Sequence, residues 1–138
     1  MSLLIVDMRQ VRLLAAKNRS ELGMERLRVI GQCIGIRSHQ DDADKMQLML
    51  QNVKELNHDC VACAEISVGE ENRSSGCWTD GTLVEGSVCD VRCCIIEGRV
   101  EAMDVRVWSL GELKTFKEFW HSDVGQRWRR VSEDPGTS

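Results

Sequence analysis

The chain has 138 residues, 42% of them hydrophobic and 29% charged, the balance of one globular domain with a real core and not of a disordered segment. No apolar run approaches the roughly 18 residues of a membrane span, and Leu3–Val6, followed at once by Asp7, is too short for a signal-peptide core. Seven cysteines, an odd number, without a secretion signal point to free thiols in a reducing compartment, cytoplasmic or nuclear.

Net charge is −4, unevenly placed: residues 1–40 carry seven Lys/Arg against three Asp/Glu, and residues 41–104 carry five against fourteen. That polarity steers orientation toward a partner.

Residues 3–17 read as a helix, with Leu4, Met8, Val11 and Ala15 at spacings of three and four. A second stripe follows Ser20, a plausible N-cap, through Met24, Leu27, Ile30 and Ile34, with Gly31 and Gly35 weakening its end. Ser38 is read as the cap of a third helix. Asp41, Asp42 and Asp44 fall in its first turn and Met46, Met49, Leu50, Val53 and Leu56 form its buried side.

From Cys60 the period changes to two. Cys60, Ala62, Ala64, Ile66 and Val68 share one face of a first strand. Gly69 to Gly76 is a polar loop. Cys77–Thr79 and Thr82–Val84 read as a short hairpin or one bulged strand. Glu85-Gly86 turns the chain into a central hairpin, in which Cys89, Val91, Cys93 and Ile95 answer Met103, Val105 and Val107. Both sets lie on odd positions. Pairing Cys93 with Met103 and Val91 with Val105 therefore requires a loop of odd length, such as 97–99, or a bulge. Cys94, Ile96 and Val100 add apolar surface to the other face, as if that end were covered on both sides.

Ser109 and Glu112 form a capping box for a last helix, with Leu110, Leu113, Phe116, Trp120, Val124 and Trp128 as its stripe. The expected architecture is α+β: N-terminal helices, a four-stranded antiparallel β-meander, and a C-terminal helix packed on the sheet. One domain spans 1–130, with a helical N-terminal region, 1–37, as a partner element, and 131–138 form a flexible tail.

No phosphate loop, dinucleotide fingerprint or nucleophile elbow is present, and His39, His58 and His121 sit at helix ends or on a helix surface. The sequence therefore reads as non-catalytic and needing no cofactor. Three helical stripes exceed what one small sheet covers, so the expected function is protein–protein interaction within an intracellular homo- or hetero-oligomer, a dimer being the simplest case. Leu4, Met8, Val11, Met24, Leu27 and Ile30 form the expected partner face. The order of elements resembles that of RWD-type interaction domains, although the Tyr-Pro motif that many of those carry is missing. That resemblance implies a partner-binding role.

Two alternatives remain. Arg9, Arg12, Arg19 and Arg26 suit a basic helical face for RNA, with Trp78, Trp120 and Trp128 as stacking surfaces. Cys60, Cys63, Cys89 and Cys93 offer the paired spacings of a structural zinc site, yet in strands they would alternate or fall among aliphatic residues as small hydrophobes.

Overall fold

A computed structural model describes residues 3–18, 24–38, 45–57, 61–73, 78 and 81–127. Its elements are β1 (Leu3–Ile5), α1 (Met8–Asn18), β2 (Met24–Ser38), β3 (Lys45–Gln51), β4 (Cys63–Gly69), β5 (Val88–Ile96), β6 (Arg99–Val107) and α2 (Leu110–Trp120). A 3-10 turn covers Glu70–Asn72.

The sheet is not a meander. β2 pairs with β3, β3 with β4, β4 with β6, β6 with β5, and β5 returns to β2. Five strands therefore close into a barrel. The closing pair, β4 with β6, is parallel and meets at Ser67 and Glu101. β1 adds in parallel to β2, with Leu3 against Leu27 and Ile5 against Val29.

β2 is what makes closure possible. Its first half, Met24 to Gln32, pairs with β5, and its second half, Gln32 to Ser38, pairs with β3. Between the halves the strand bends, with a register shift at Cys33/Gly35. Gly31 lies so close to β3 that a Cβ there would sit 3.0 Å from the Leu50 Cβ. A residue with a side chain at position 31 would push the two strands apart.

Sequence periodicity assigned helices to the stripe from Met24 through Ile34 and to the segment after Ser38, and the structure places strands β2 and β3 there instead. β2 is covered on both faces. Leu27, Val29 and Cys33 enter the barrel, whereas Ile30 packs outward beside Leu4, Val6, Val53, Leu56, Leu113 and Trp120. A strand buried on both sides loses its alternation, and Leu27, Ile30 and Ile34 then mimic a helical stripe. In β3 the inward residues are Leu48 and Leu50, while Met49 stays at the half-buried surface. Val53 and Leu56 belong to the outer cluster. Ser38 ends β2 instead of capping a helix, and Asp41, Asp42 and Asp44 lie outside the described residues. The partner region 1–37 is thus a strand, one helix and a long barrel strand.

Elsewhere the alternation holds. Ala62, Ala64, Ile66 and Val68 are buried along β4. In the β5–β6 hairpin Val91 faces Val105, but Cys93 faces Ala102. The turn is two residues, Glu97 and Gly98, both at positive φ (54° and 77°), the conformation that suits a right-twisted hairpin. The parity conflict that such a turn creates is resolved by leaving Met103 as an extra, bulged residue on β6. Val100 and Ala102 point inward on the turn side of the bulge, Val105 beyond it, and Met103 is exposed.

α1 seals one end of the barrel through Met8, Val11 and Leu14. α2 lies on the outer wall, where Leu113 and Trp120 cover Ile30. It starts at the expected capping box: Ser109 Oγ accepts from the Glu112 N–H, and the Glu112 carboxylate accepts from the Ser109 N–H. Leu110 and Val124 are exposed, so the stripe is narrower than its apolar spacing implies. Trp128 and the tail lie outside the described residues.

Candidate docking groove

Among the concave regions of the surface, two contrast in chemistry; another, beside the first, is lined by Arg28, Asp90, Trp108 and Glu112. The first groove, of about 770 Å³, runs between α2 and the β2–β5–β6 wall. Met24, Met103 and Phe119 stand at its edges and are exposed, with Leu4 and Cys94 deeper in. Phe119 is the last ring of an aromatic ladder on α2. Its centroid is 6.0 Å from that of Phe116, which lies 5.1 Å from Trp108 and 5.8 Å from Trp120. Burial pushes the Cys94 thiol up from its ordinary pKa; Glu101 adds to the rise and Arg26 opposes it.

Three arginines, Arg26, Arg28 and Arg92, line the same groove, and among the described residues no carboxylate does. Arg28 grips Asp90 with both Nε (3.0 Å) and Nη2 (2.7 Å), and this hydrogen-bonded carboxylate holds the guanidinium above its ordinary pKa against the cost of burial.

The second groove, of about 620 Å³, lies between α1 and the outward faces of β3 and β4. Gln47, Met49, Cys63 and Ser67 line it beside Arg12 and Arg99. Its surroundings are internally neutralised. Arg37 pairs with Glu65 at 2.7 Å and Lys45 with Glu101 at 2.9 Å. Among the described residues no aromatic side chain lines it.

Sequence reasoning placed the partner face on Leu4, Met8, Val11, Met24, Leu27 and Ile30. The structure corrects five of these. Leu4, Met8, Val11, Leu27 and Ile30 are buried within the chain itself, and Met24 alone is exposed. The surplus of apolar stripe arose from counting two barrel strands as helices. The four arginines do not form one stripe. Arg9 on α1 pairs with Asp7 at 2.7 Å, Arg12 faces the second groove, Arg26 faces the first, and Arg19 lies outside the described residues. Trp78 packs against the barrel core and Trp120 belongs to the outer cluster, so neither offers a free stacking face.

The zinc spacing is not assembled from the residues described. Cys63 is exposed on β4, whereas Cys89 and Cys93 are buried in the barrel, and Cys60 lies outside the described residues. Among the described residues no group of three or more His, Cys, Asp or Glu is placed to hold a metal. No described helix is long and apolar enough to cross a membrane.

Arg92, Met103 and Phe119 escaped the sequence reading as site residues, while Arg28 counted there only as one of the N-terminal arginines of a basic face. Arg92 and Arg106 were the polar half of an alternating strand, and that pattern does not distinguish a solvated face from one beside a helix.

A closed five-stranded barrel in which the first barrel strand bends to pair with both the second and the fourth, and the third closes in parallel on the fifth, is an OB-fold-like architecture. Solved structures agree. A chain of the yeast Stn1 and Ten1 crystal structure superposes with a TM-score of 0.64 at 21% identity, covering 97% of this chain and 93% of that one. The S. pombe Stn1–Ten1 complex gives 0.52 at 10% identity over 80% and 77%. The S. cerevisiae mitochondrial single-stranded DNA binding protein Rim1 gives 0.50 at 9% identity over 64% and 98%. At these identities the likeness is one of fold. Comparison of the sequence with family models finds no match, and comparison with curated proteins finds none.

Proposed function

We propose that this chain is a non-catalytic subunit of an intracellular multi-chain assembly and that it docks a partner protein in the groove between α2 and the β2–β5–β6 wall. The composition of that groove carries the reading. Protein interfaces are enriched in aromatic residues, Met and Arg and depleted of Lys, Glu and Asp. The groove holds Phe116, Phe119, Met24, Met103 and three arginines, and none of the depleted types among the described residues. The two Stn1–Ten1 structures, which share the fold, hold two named proteins, and this supports the same kind of role here.

The test is a charge placed in the groove. Met24→Glu and Met103→Glu change exposed side chains, so thermal stability should stay within about 0.5 kcal/mol of the parent. Both should lose the partner that co-purifies with the tagged parent chain from its native host. Equal recovery of that partner with both variants, or a parent chain that is strictly monomeric with nothing bound, overturns the reading.

A second reading is binding of single-stranded nucleic acid at the β3–β4 face. OB-folds hold oligonucleotides on the face of their second and third barrel strands, here β3 and β4, where Arg12 and Arg99 face the second groove. Rim1, named as a single-stranded DNA binding protein, supports it. Against it stand the missing aromatic platform and the two ion pairs that consume Arg37 and Lys45. Salt titration with a short RNA and a short single-stranded DNA decides. Affinity that rises as salt falls and drops in Arg12→Ala and Arg99→Ala favours this reading, and no binding at low ionic strength ends it.

A further inference from the structure

The arginines of the docking groove are arranged at a disadvantage to the free chain. Across the β2–β5 ladder Arg28 stands directly opposite Arg92, and like charges in that position repel. Arg26 lies two residues along the same face of β2. The described carboxylates of this wall are already engaged. Glu101, across Cys94 from Arg26, pairs with Lys45 at 2.9 Å, and Glu112 serves its capping box. Asp90 is held by Arg28 in a two-pronged grip. Asp104, opposite Arg92, takes its 3.2 Å contact from Arg106. Arg26 and Arg92 therefore have no ion-pair partner among the described residues, in a chain whose net charge is −4.

From this charge pattern, and resting on the docking reading above, we infer that the occupant of the groove is an acidic amphipathic segment of a partner protein. Its apolar ridge lies between Met24, Met103 and Phe119, and its flanking carboxylates seat on Arg26 and Arg92. A guanidinium offers two parallel N–H donors that match a carboxylate, and an anion placed there relieves the repulsion between Arg28 and Arg92. The apolar floor favours a polypeptide over a nucleic-acid strand. Phe116 is enclosed by Trp108, Phe119 and Trp120, which leaves Phe119 as the one exposed ring among the described residues of the groove, short of the successive rings on which a nucleic-acid strand stacks.

Two measurements on the full chain test this. The first needs no ligand: in a double-mutant cycle the Arg28→Leu/Arg92→Leu variant should melt roughly 1–3 °C below the Tm expected from the sum of the two single-variant shifts, because each single change relieves the same cross-strand repulsion. Strictly additive shifts overturn the premise. The second uses two labelled helical peptides of about five turns with the same leucine ridge, flanked by Glu in one and Lys in the other, and oligo-deoxythymidylate as a third probe. The Glu peptide should bind about tenfold tighter than the Lys peptide at low salt, and the Arg26→Glu/Arg92→Glu double variant should invert that order. Equal affinities, a preference for the Lys peptide, or no binding of the Glu peptide overturn the inference. Oligo-deoxythymidylate binding that disappears in the double variant assigns the arginines to phosphates and overturns it as well. If Met24→Glu and Met103→Glu release the native partner while the double arginine variant keeps it, the docking reading survives and the acidic occupant does not.

Discussion

Asn18 Oδ1, in the last turn of α1, accepts a hydrogen bond at 3.0 Å from the backbone N–H of Gly98, eighty residues away in the β5–β6 turn. At the other end of the same helix, Asn52 Oδ1 accepts from the Met8 N–H at 2.7 Å. Asn52 Nδ2 also reaches Asp7 Oδ1, at 3.3 Å. Both asparagines are buried. They pin the sealing helix to the barrel at two points, Asn52 satisfying a buried backbone donor and Asn18 a half-buried one.

Replacing either asparagine with leucine keeps the heavy-atom branching and removes the acceptor. Asn52→Leu is expected to cost about 1–3 kcal/mol, the penalty for an orphaned buried donor, and Asn18→Leu less, because the half-buried Gly98 N–H can turn to water; both are read as a lower urea midpoint with an unchanged slope. A cost near zero for both would mean that apolar packing alone holds α1.

The hairpin turn carries a local mismatch that substitution can relieve. Glu97 adopts φ of 54°, a left-handed conformation that costs most residues about 1 kcal/mol and that Asn tolerates. Glu97→Asn creates the Asn-Gly pair preferred in two-residue hairpins and should stabilise by about 0.5–1 kcal/mol. Gly98→Ala, at φ of 77°, should destabilise by about 1 kcal/mol. Thermal melts of the two variants should move in opposite directions.

Acid stability should depend on Asp7. Burial raises its pKa, but hydrogen bonds from the Arg9 side chain and backbone and from Asn52, together with the Arg9 charge, hold it below its ordinary value. A depressed folded-state pKa means a contribution fully present above the unfolded value, near pH 4, and lost as pH falls through the folded one. Asp7→Asn should therefore show a smaller loss of urea midpoint between about pH 6 and pH 3 than the parent.

Thiol reactivity should follow the barrel. Burial pushes Cys33, Cys93 and Cys94 up from the ordinary thiol pKa, whereas Cys63 is exposed. In a Cys60→Ser/Cys77→Ser background, a thiol reagent near pH 8 should label Cys63 quickly and the others only on unfolding. The raised thiols also set the alkaline limit. Their stabilising contribution is complete below the unfolded pKa, about 8.5, and declines as pH climbs toward the folded values. Rapid labelling of Cys93 in the native chain would show that the barrel opens.

Local chemistry made some elements legible. Ser109 and Glu112 marked the start of α2 by a box confined to one turn. Alternation of Ala62 through Val68 marked β4, since that strand has one face inside and one outside. The hairpin parity foretold either an odd loop or a bulge, and the bulge at Met103 is what formed. β2 and β3 were not legible, because Ile30 is covered from outside by α2 while Leu27 and Val29 are covered from inside. A residue pattern records how many faces are buried, not what buries them.

The docking groove shows the same division. The amino-acid order by itself determined which strands alternate, where α2 begins, and that Arg92 and Arg106 point away from the barrel core. Only the closed tertiary structure decided that Arg26, Arg28 and Arg92 stand side by side, opposite Phe119. Their neighbourhood depends on pairing between β2 and β5 across fifty-six to seventy-two positions of chain. It also depends on a parallel contact between β4 and β6. Long-range pairings of this kind are set by the closure of the whole sheet, and no short window of residues contains that information.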